Sequence, residues 1–116
     1  MDLCRGWSQE DVEKLYADAT DGERTLLETM ARSAMTTRSD LIASLGEGPD
    51  RAVDGYLGNL GKRAYKMDVK DAEGNVSWPF FINTDEKTNE SVYLMPKAVA
   101  EIISPGARSK SEPWEL

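Results

Sequence analysis

The sequence predicts an α+β domain in which a run of helices precedes a β-hairpin and a further helix. Helix start signals, each a hydroxyl residue followed closely by acids, recur at Ser8, Thr20 and Thr37. Aromatic and β-branched residues fill 78–83 and 91–95 on either side of a polar loop, as in a hairpin. A core of three helices followed by a hairpin is typical of a winged helix-turn-helix. The first and last helices would then be flanking extensions.

The helices are predicted one by one from their caps and apolar spacing. Ser8 caps the first helix, and Thr20 with Glu23 forms a capping box at the start of the second. Thr36 and Thr37 end the second helix and cap a third one. A glycine-bearing turn separates the third helix, Arg38 to Leu45, from a fourth that begins at about Pro49 and ends at about Lys66. The domain is expected over residues 8–104, after an N-terminal arm (1–7) and before a flexible C-terminal tail (105–116).

The fourth helix divides into two faces when its residues are placed 100° apart. Its apolar residues fall on one side, where a core would hold them. The opposite side is cationic or lacks side chains, and it includes two glycines, Gly55 and Gly58. Glycine in a helix interior costs about 1 kcal/mol relative to alanine, so two glycines on one stripe need a reason. That reason is either close approach to another molecule or tolerated drift.

Composition argues against an enzyme. The 116 residues include no histidine and a single cysteine, Cys4, so a Ser-His-Asp triad, a histidine-activated thiol and a zinc site are all excluded. We therefore predict no catalytic residue, no metal and no cofactor. The chain shows no apolar run long enough to span a membrane and no disulfide partner for Cys4, which suggests a cytoplasmic protein.

The net charge of −7 is unfavourable for a partner made of nucleic acid. However, residues 36–66 carry five basic and four acidic side chains and are the one third of the chain with a positive balance. The stretch from Tyr56 to Lys66 holds three of these cations and no acid. A solvated helix end whose cations complement the helix dipole is the alternative explanation.

Three segments resemble small winged-helix domains of uncharacterised bacterial proteins, often from actinobacteria and their phages. They are Leu57 to Arg63, Trp78 to Phe81, and Tyr93 to Ile103. The resemblance extends over about residues 20–104 and implies a MarR-like winged-helix DNA-binding domain. The segment from Asp85 to Glu90, at the expected wing tip, carries three acids and one lysine, so we assign no DNA contact to it.

The sequence thus predicts a sequence-specific regulator of transcription that binds double-stranded DNA as a homodimer. The fourth helix would enter the major groove, and the start of the third would contact phosphate. The predicted DNA-binding residues are Thr37, Arg38, Ser39, Arg51, Gly55, Gly58, Asn59, Lys62, Arg63 and Lys66. Asp54, on or near the same face, would either repel phosphate or pair with Arg38 or Arg51.

A second hypothesis belongs to a different class of function. The acidic surface, the acidic wing and a tryptophan near the C-terminus, Trp114, also suit a protein that binds another protein. In that case the winged-helix scaffold would serve a non-enzymatic adaptor, and one version would mimic the acidic surface of DNA.

Overall fold

A computed structural model describes residues 6–46 and 51–106 of the chain. Within these ranges the chain folds into five α-helices and a three-stranded antiparallel sheet, which confirms an α+β domain. The helices are α1 (Gln9–Asp18), α2 (Asp21–Ala31), α3 (Arg38–Ser44), α4 (Arg51–Met67) and α5 (Lys97–Ile103). The strands are β1 (Met35–Thr37), β2 (Phe81–Asp85) and β3 (Glu90–Leu94).

The helix starts follow the predicted capping chemistry. Ser8 and Thr37 each accept a hydrogen bond from the backbone N–H three residues on, and the side chains of Asp11 and Asp40 return it. Thr20 also caps α2, but the capping box predicted there is incomplete. The carboxylate of Glu23 accepts from the hydroxyl of Thr20 at 2.8 Å instead of from its backbone. The same carboxylate also accepts a hydrogen bond from Arg63 on α4.

The strand order β1-β3-β2 places the first strand of the chain beside the last. Strand β1 was not predicted: the segment assigned to the end of the second helix pairs with β3, with Thr36 opposite Tyr93. The hairpin was predicted, but β2 begins at Phe81 and not at Trp78. Pro79 has no N–H to donate to a ladder, which accounts for the later start.

The hairpin closes through a turn of four residues, 86–89. Asn89 has a φ of 58° and donates its backbone N–H to the carbonyl of Asp85 at 2.7 Å. Asparagine tolerates this left-handed conformation better than most residues do. The polar loop expected between the two strands is therefore a tight turn, with Glu86 and Lys87 exposed at the tip of the hairpin.

The core lies between the helices and the inner face of the sheet. Leu26, Leu27 and Met30 of α2 are fully buried, and Leu60 of α4 and Tyr93 of β3 pack into the same cluster. The N-terminus of α2 comes close to α4. A methyl group added at Gly22 would meet the ring of Tyr56 at 2.3 Å, so any other residue there would force this ring to shift.

The order of elements and the sheet topology are compatible with the predicted winged-helix layout. Five helix-forming segments and a hairpin appear where the sequence indicated them. The turn between α3 and α4, most of the predicted N-terminal arm and most of the C-terminal tail, with Cys4 and Trp114, lie outside the described residues. Within the described part of the chain, no helix is both long and apolar enough to cross a membrane.

Candidate functional site

The face of α4 that the sequence singled out points away from the core. Val53, Leu60 and Ala64 are buried on the opposite side, and they anchor the helix against the rest of the domain. The exposed face carries residues that were predicted to contact DNA: Gly55, Gly58, Asn59, Lys62 and Lys66. Arg51 begins α4, but its side chain lies outside the described residues.

The two glycines on this face have no packing role within the domain. A Cβ atom added at Gly55 or Gly58 would have no atom of the described residues within 4 Å. A Cβ atom added at Gly61, three residues after Gly58, would likewise have no described atom within 4 Å. The contrast with Gly22, where a Cβ would collide with Tyr56, is direct. No described residue therefore requires glycine at position 55 or 58.

Arg63 was predicted to contact phosphate, but the structure places it in an internal ion pair. Its Nε donates to Glu23 Oε1 at 2.6 Å, and the side chain of Glu23 is fully buried on α2. Burial raises the pKa of Glu23, but hydrogen bonds from Arg63 and Thr20 outweigh it and bring the pKa below its ordinary value. The hydrogen bond to Glu23 raises the pKa of Arg63. Arg63 thus joins α4 to α2, and we remove it from the candidate interface.

Arg38 is also paired, as one of the alternatives from the sequence anticipated. Its Nη1 donates to Asp54 Oδ1 at 2.6 Å and its Nη2 to Oδ2 at 3.2 Å, so the contact is bidentate. This hydrogen bonding raises the pKa of Arg38 despite the opposite effect of burial. The pair connects α3 to the exposed side of α4. In the free protein, the guanidinium of Arg38 is therefore already paired with a carboxylate.

The start of α3 meets a carboxylate from the hairpin. Glu90 Oε1 accepts from the backbone N–H of Ser39 at 2.8 Å and from its hydroxyl at 2.6 Å. The hydroxyl of Ser39, and then its N–H, lower the pKa of Glu90. Thr37 donates its backbone N–H to Asp40 Oδ2 at 3.0 Å, and its hydroxyl accepts from the N–H of Asp40. Carboxylates of the chain itself therefore hold the guanidinium of Arg38, the N–H of Thr37 and both donors of Ser39.

An apolar groove beside α4 was missed in the sequence. It encloses about 280 Å³ and lies between α4 and the segment that leads into β2. At its edge, Tyr65 stacks on Trp78 with ring centroids 6.4 Å apart, and 65% of Tyr65 is exposed. Trp78, which lines the groove, is 36% exposed. The sequence held one indication of exposed aromatic surface here, because Tyr65 falls on the side of the helical wheel opposite the apolar residues of α4. The groove is lined by Leu57, Leu60, Gly61, Ala64, Trp78, Pro79, Phe80, Phe81 and Ile82.

Among the described residues, no group of three or more acids and cysteines is placed to hold a metal ion. The structure thus defines a small α+β domain with an exposed, glycine-bearing helix face beside an apolar groove. The chain matches no protein-family model, no curated protein and no solved structure. The case for a function therefore depends on the residues of this surface.

Proposed function

We propose that the chain is a DNA-binding regulator of the winged helix-turn-helix type and that α4 is its recognition helix. One observation carries the proposal: α4 is anchored by a buried apolar face, and its opposite face is exposed and holds glycines, Asn59, Lys62 and Lys66. In the described residues, Asp54 is the one acid on that side of α4, and Arg38 neutralises it.

The dimensions of α4 suit the major groove. The groove of B-DNA is about 12 Å wide, and a helix with its side chains measures about 10–12 Å across. Glycine at positions 55 and 58 reduces the width of α4 on the approaching side, so its backbone would come closer to the base edges. Asn59 has the donor and acceptor needed for adenine, and Lys62 can donate to guanine. Lys66, near the end of the helix, would contact phosphate.

The proposed interface is smaller than the sequence indicated, because Arg38 and Arg63 are paired internally. Each phosphate neutralised contributes about 0.9 to the slope of log K against log salt. Lys66, the described side chain assigned to phosphate, then gives a slope of about 0.9 for each protomer, where the five cations predicted from the sequence would give about 4.5. The wing, whose tip exposes Glu86, makes no DNA contact in this proposal. We place the dimer contact on α1 and α5, which lie side by side. Binding to two successive half-sites would then require the two copies of α4 to lie about 34 Å apart.

Charge reversal on α4 tests this function. We expect the wild-type protein to bind a fluorescent random duplex at low salt and Lys62→Glu to reduce the affinity at least tenfold, as measured by anisotropy. Lys87→Glu is the matched control, because it changes the net charge equally at the exposed tip of the hairpin, which makes no DNA contact in this proposal. Equal effects of the two reversals, or no binding by the wild-type protein, would reject α4 as a recognition helix.

A second candidate is an acidic adaptor that binds another protein. The observation that favours it is the apolar groove, together with the exposed side chains of Tyr65 and Ile82 at its edge. Exposed apolar surface of this kind marks many protein-binding sites. The two functions differ in their dependence on Lys62, since an apolar groove does not need that charge. Absence of any duplex binding at low salt would favour the adaptor.

A further inference from the structure

Two groups that a winged helix could offer to DNA phosphates are occupied by carboxylates of the same chain. Asp54 holds the guanidinium of Arg38, and Glu90 holds the hydroxyl and N–H of Ser39. The first contact joins the consecutive helices α3 and α4 across 16 residues, and the second joins α3 to the hairpin across 51 residues. These contacts are therefore built by the tertiary fold and do not arise from local capping.

The Arg38–Asp54 contact has the form of an arginine–phosphate contact. A guanidinium donates two parallel hydrogen bonds to a carboxylate in the same way as it does to a phosphate. The side chain of Asp54 is 62% exposed and that of Arg38 is 29% exposed, so a competing anion can approach the pair. Because both side chains are reached by solvent, replacement of Asp54 by another anion does not leave a buried charge unpaired.

Glu90 extends the same arrangement to the wing. It is the first residue of β3, and its carboxylate bridges from the hairpin to Ser39 on α3. Glu23, by contrast, is fully buried behind α4 and pairs with Arg63 away from the exposed face. A polyanion could displace Asp54 or Glu90 without unfolding the domain, but it could not reach Glu23.

We propose that Asp54 and Glu90 are internal competitors of DNA phosphate, so that the free protein masks part of its own DNA-binding surface. This inference rests on the proposed function. The mask lowers non-specific affinity, because a phosphate must displace a carboxylate before it gains Arg38 or Ser39.

The test compares Asp54→Ala and Glu90→Ala with Glu86→Ala, a control that removes one exposed acid from the wing tip and frees no donor. We expect the first two variants to bind a random duplex about five times more tightly than the wild-type protein, and the control to change affinity less than twofold. Asp54→Ala should also steepen the salt slope by about 0.9, because Arg38 becomes available to one phosphate. Circular dichroism establishes that each variant is folded.

Arg38→Gln supplies a second measurement that does not depend on a gain of charge. In the wild-type background it should lower DNA affinity by less than it does in the Asp54→Ala background, because in the wild-type protein a phosphate gains Arg38 only by displacing Asp54. In the Asp54→Ala background it should cancel the gain in affinity and in salt slope. If Lys62→Glu abolishes binding but Asp54→Ala and Glu90→Ala behave like the control, masking is refuted and the proposed function stands. If neither the wild-type protein nor any variant binds duplex, both are refuted.

Discussion

Replacing Gly55 and Gly58 by alanine separates the two explanations for glycine on α4. Both residues lie inside a helix of 17 residues, and an added Cβ meets no atom of the described residues within 4 Å. Alanine is favoured over glycine in a helix interior by about 0.5–1 kcal/mol, and no steric cost opposes it here. Each substitution should therefore raise the unfolding free energy by that amount, and the double variant by about 1–2 kcal/mol.

Thermal and urea unfolding followed by circular dichroism measure this gain. For a domain of this size, about 1 kcal/mol corresponds to a rise in Tm of roughly 3–6 °C. Gly22→Ala is the control that should act in the opposite direction. Its Cβ would lie 2.3 Å from the ring of Tyr56, and overpacking of this kind destabilises a protein by about 1–3 kcal/mol.

The same alanine variants give the functional result. If the glycines let α4 sit deep in the major groove, two added methyl groups hold the helix away from the bases, and duplex affinity falls about tenfold while stability rises. A gain in stability with unchanged affinity would show that the glycines are tolerated drift and would remove them from the interface. Loss of stability would contradict the exposed position of this face.

The remaining predictions concern the Glu23–Arg63 pair. Arg63→Met leaves the buried carboxylate of Glu23 without its cation and should lower the unfolding free energy clearly more than Lys66→Met, an exposed control on α4, which should change it by less than about 0.5 kcal/mol. Because the pKa of Glu23 is lower in the folded protein than its ordinary 4.5, its contribution is full above that pH and is lost as the pH falls through the folded pKa. The stability difference between wild type and Glu23→Gln in urea should therefore shrink from pH 6 to pH 3, and a constant difference would contradict the pairing.

The helix starts and the orientation of α4 could be predicted because both depend on neighbours in sequence. A hydroxyl cap reaches an N–H three residues away, and the two faces of α4 follow from the helical period. Strand β1 could not be predicted in this way. It has three residues, too few for a visible alternation, and it exists because Thr36 meets Tyr93 from the other end of the domain.

The partner of Arg63 likewise could not be predicted from the sequence. Arg63 lies near the edge of the exposed stripe of α4, and its position on the helix permits either a solvent-facing or an inward-facing side chain. The choice depends on Glu23, which is 40 residues away in sequence. Ser39 and Glu90 are 51 residues apart, so no local pattern could associate them. The apolar groove was missed for the same reason, because its two walls come from separate elements.

The sequence by itself determined the class of fold and the exposed, glycine-bearing face of α4, because helical periodicity and capping act over a few residues. Only the tertiary structure decided which charges on that face remain free. Hydrogen bonds between side chains require atoms within about 3 Å of each other, and for residues on different elements that proximity is created by packing. Lys62 and Lys66 remain exposed on α4, while Arg38 and Arg63 are held by carboxylates of the same chain.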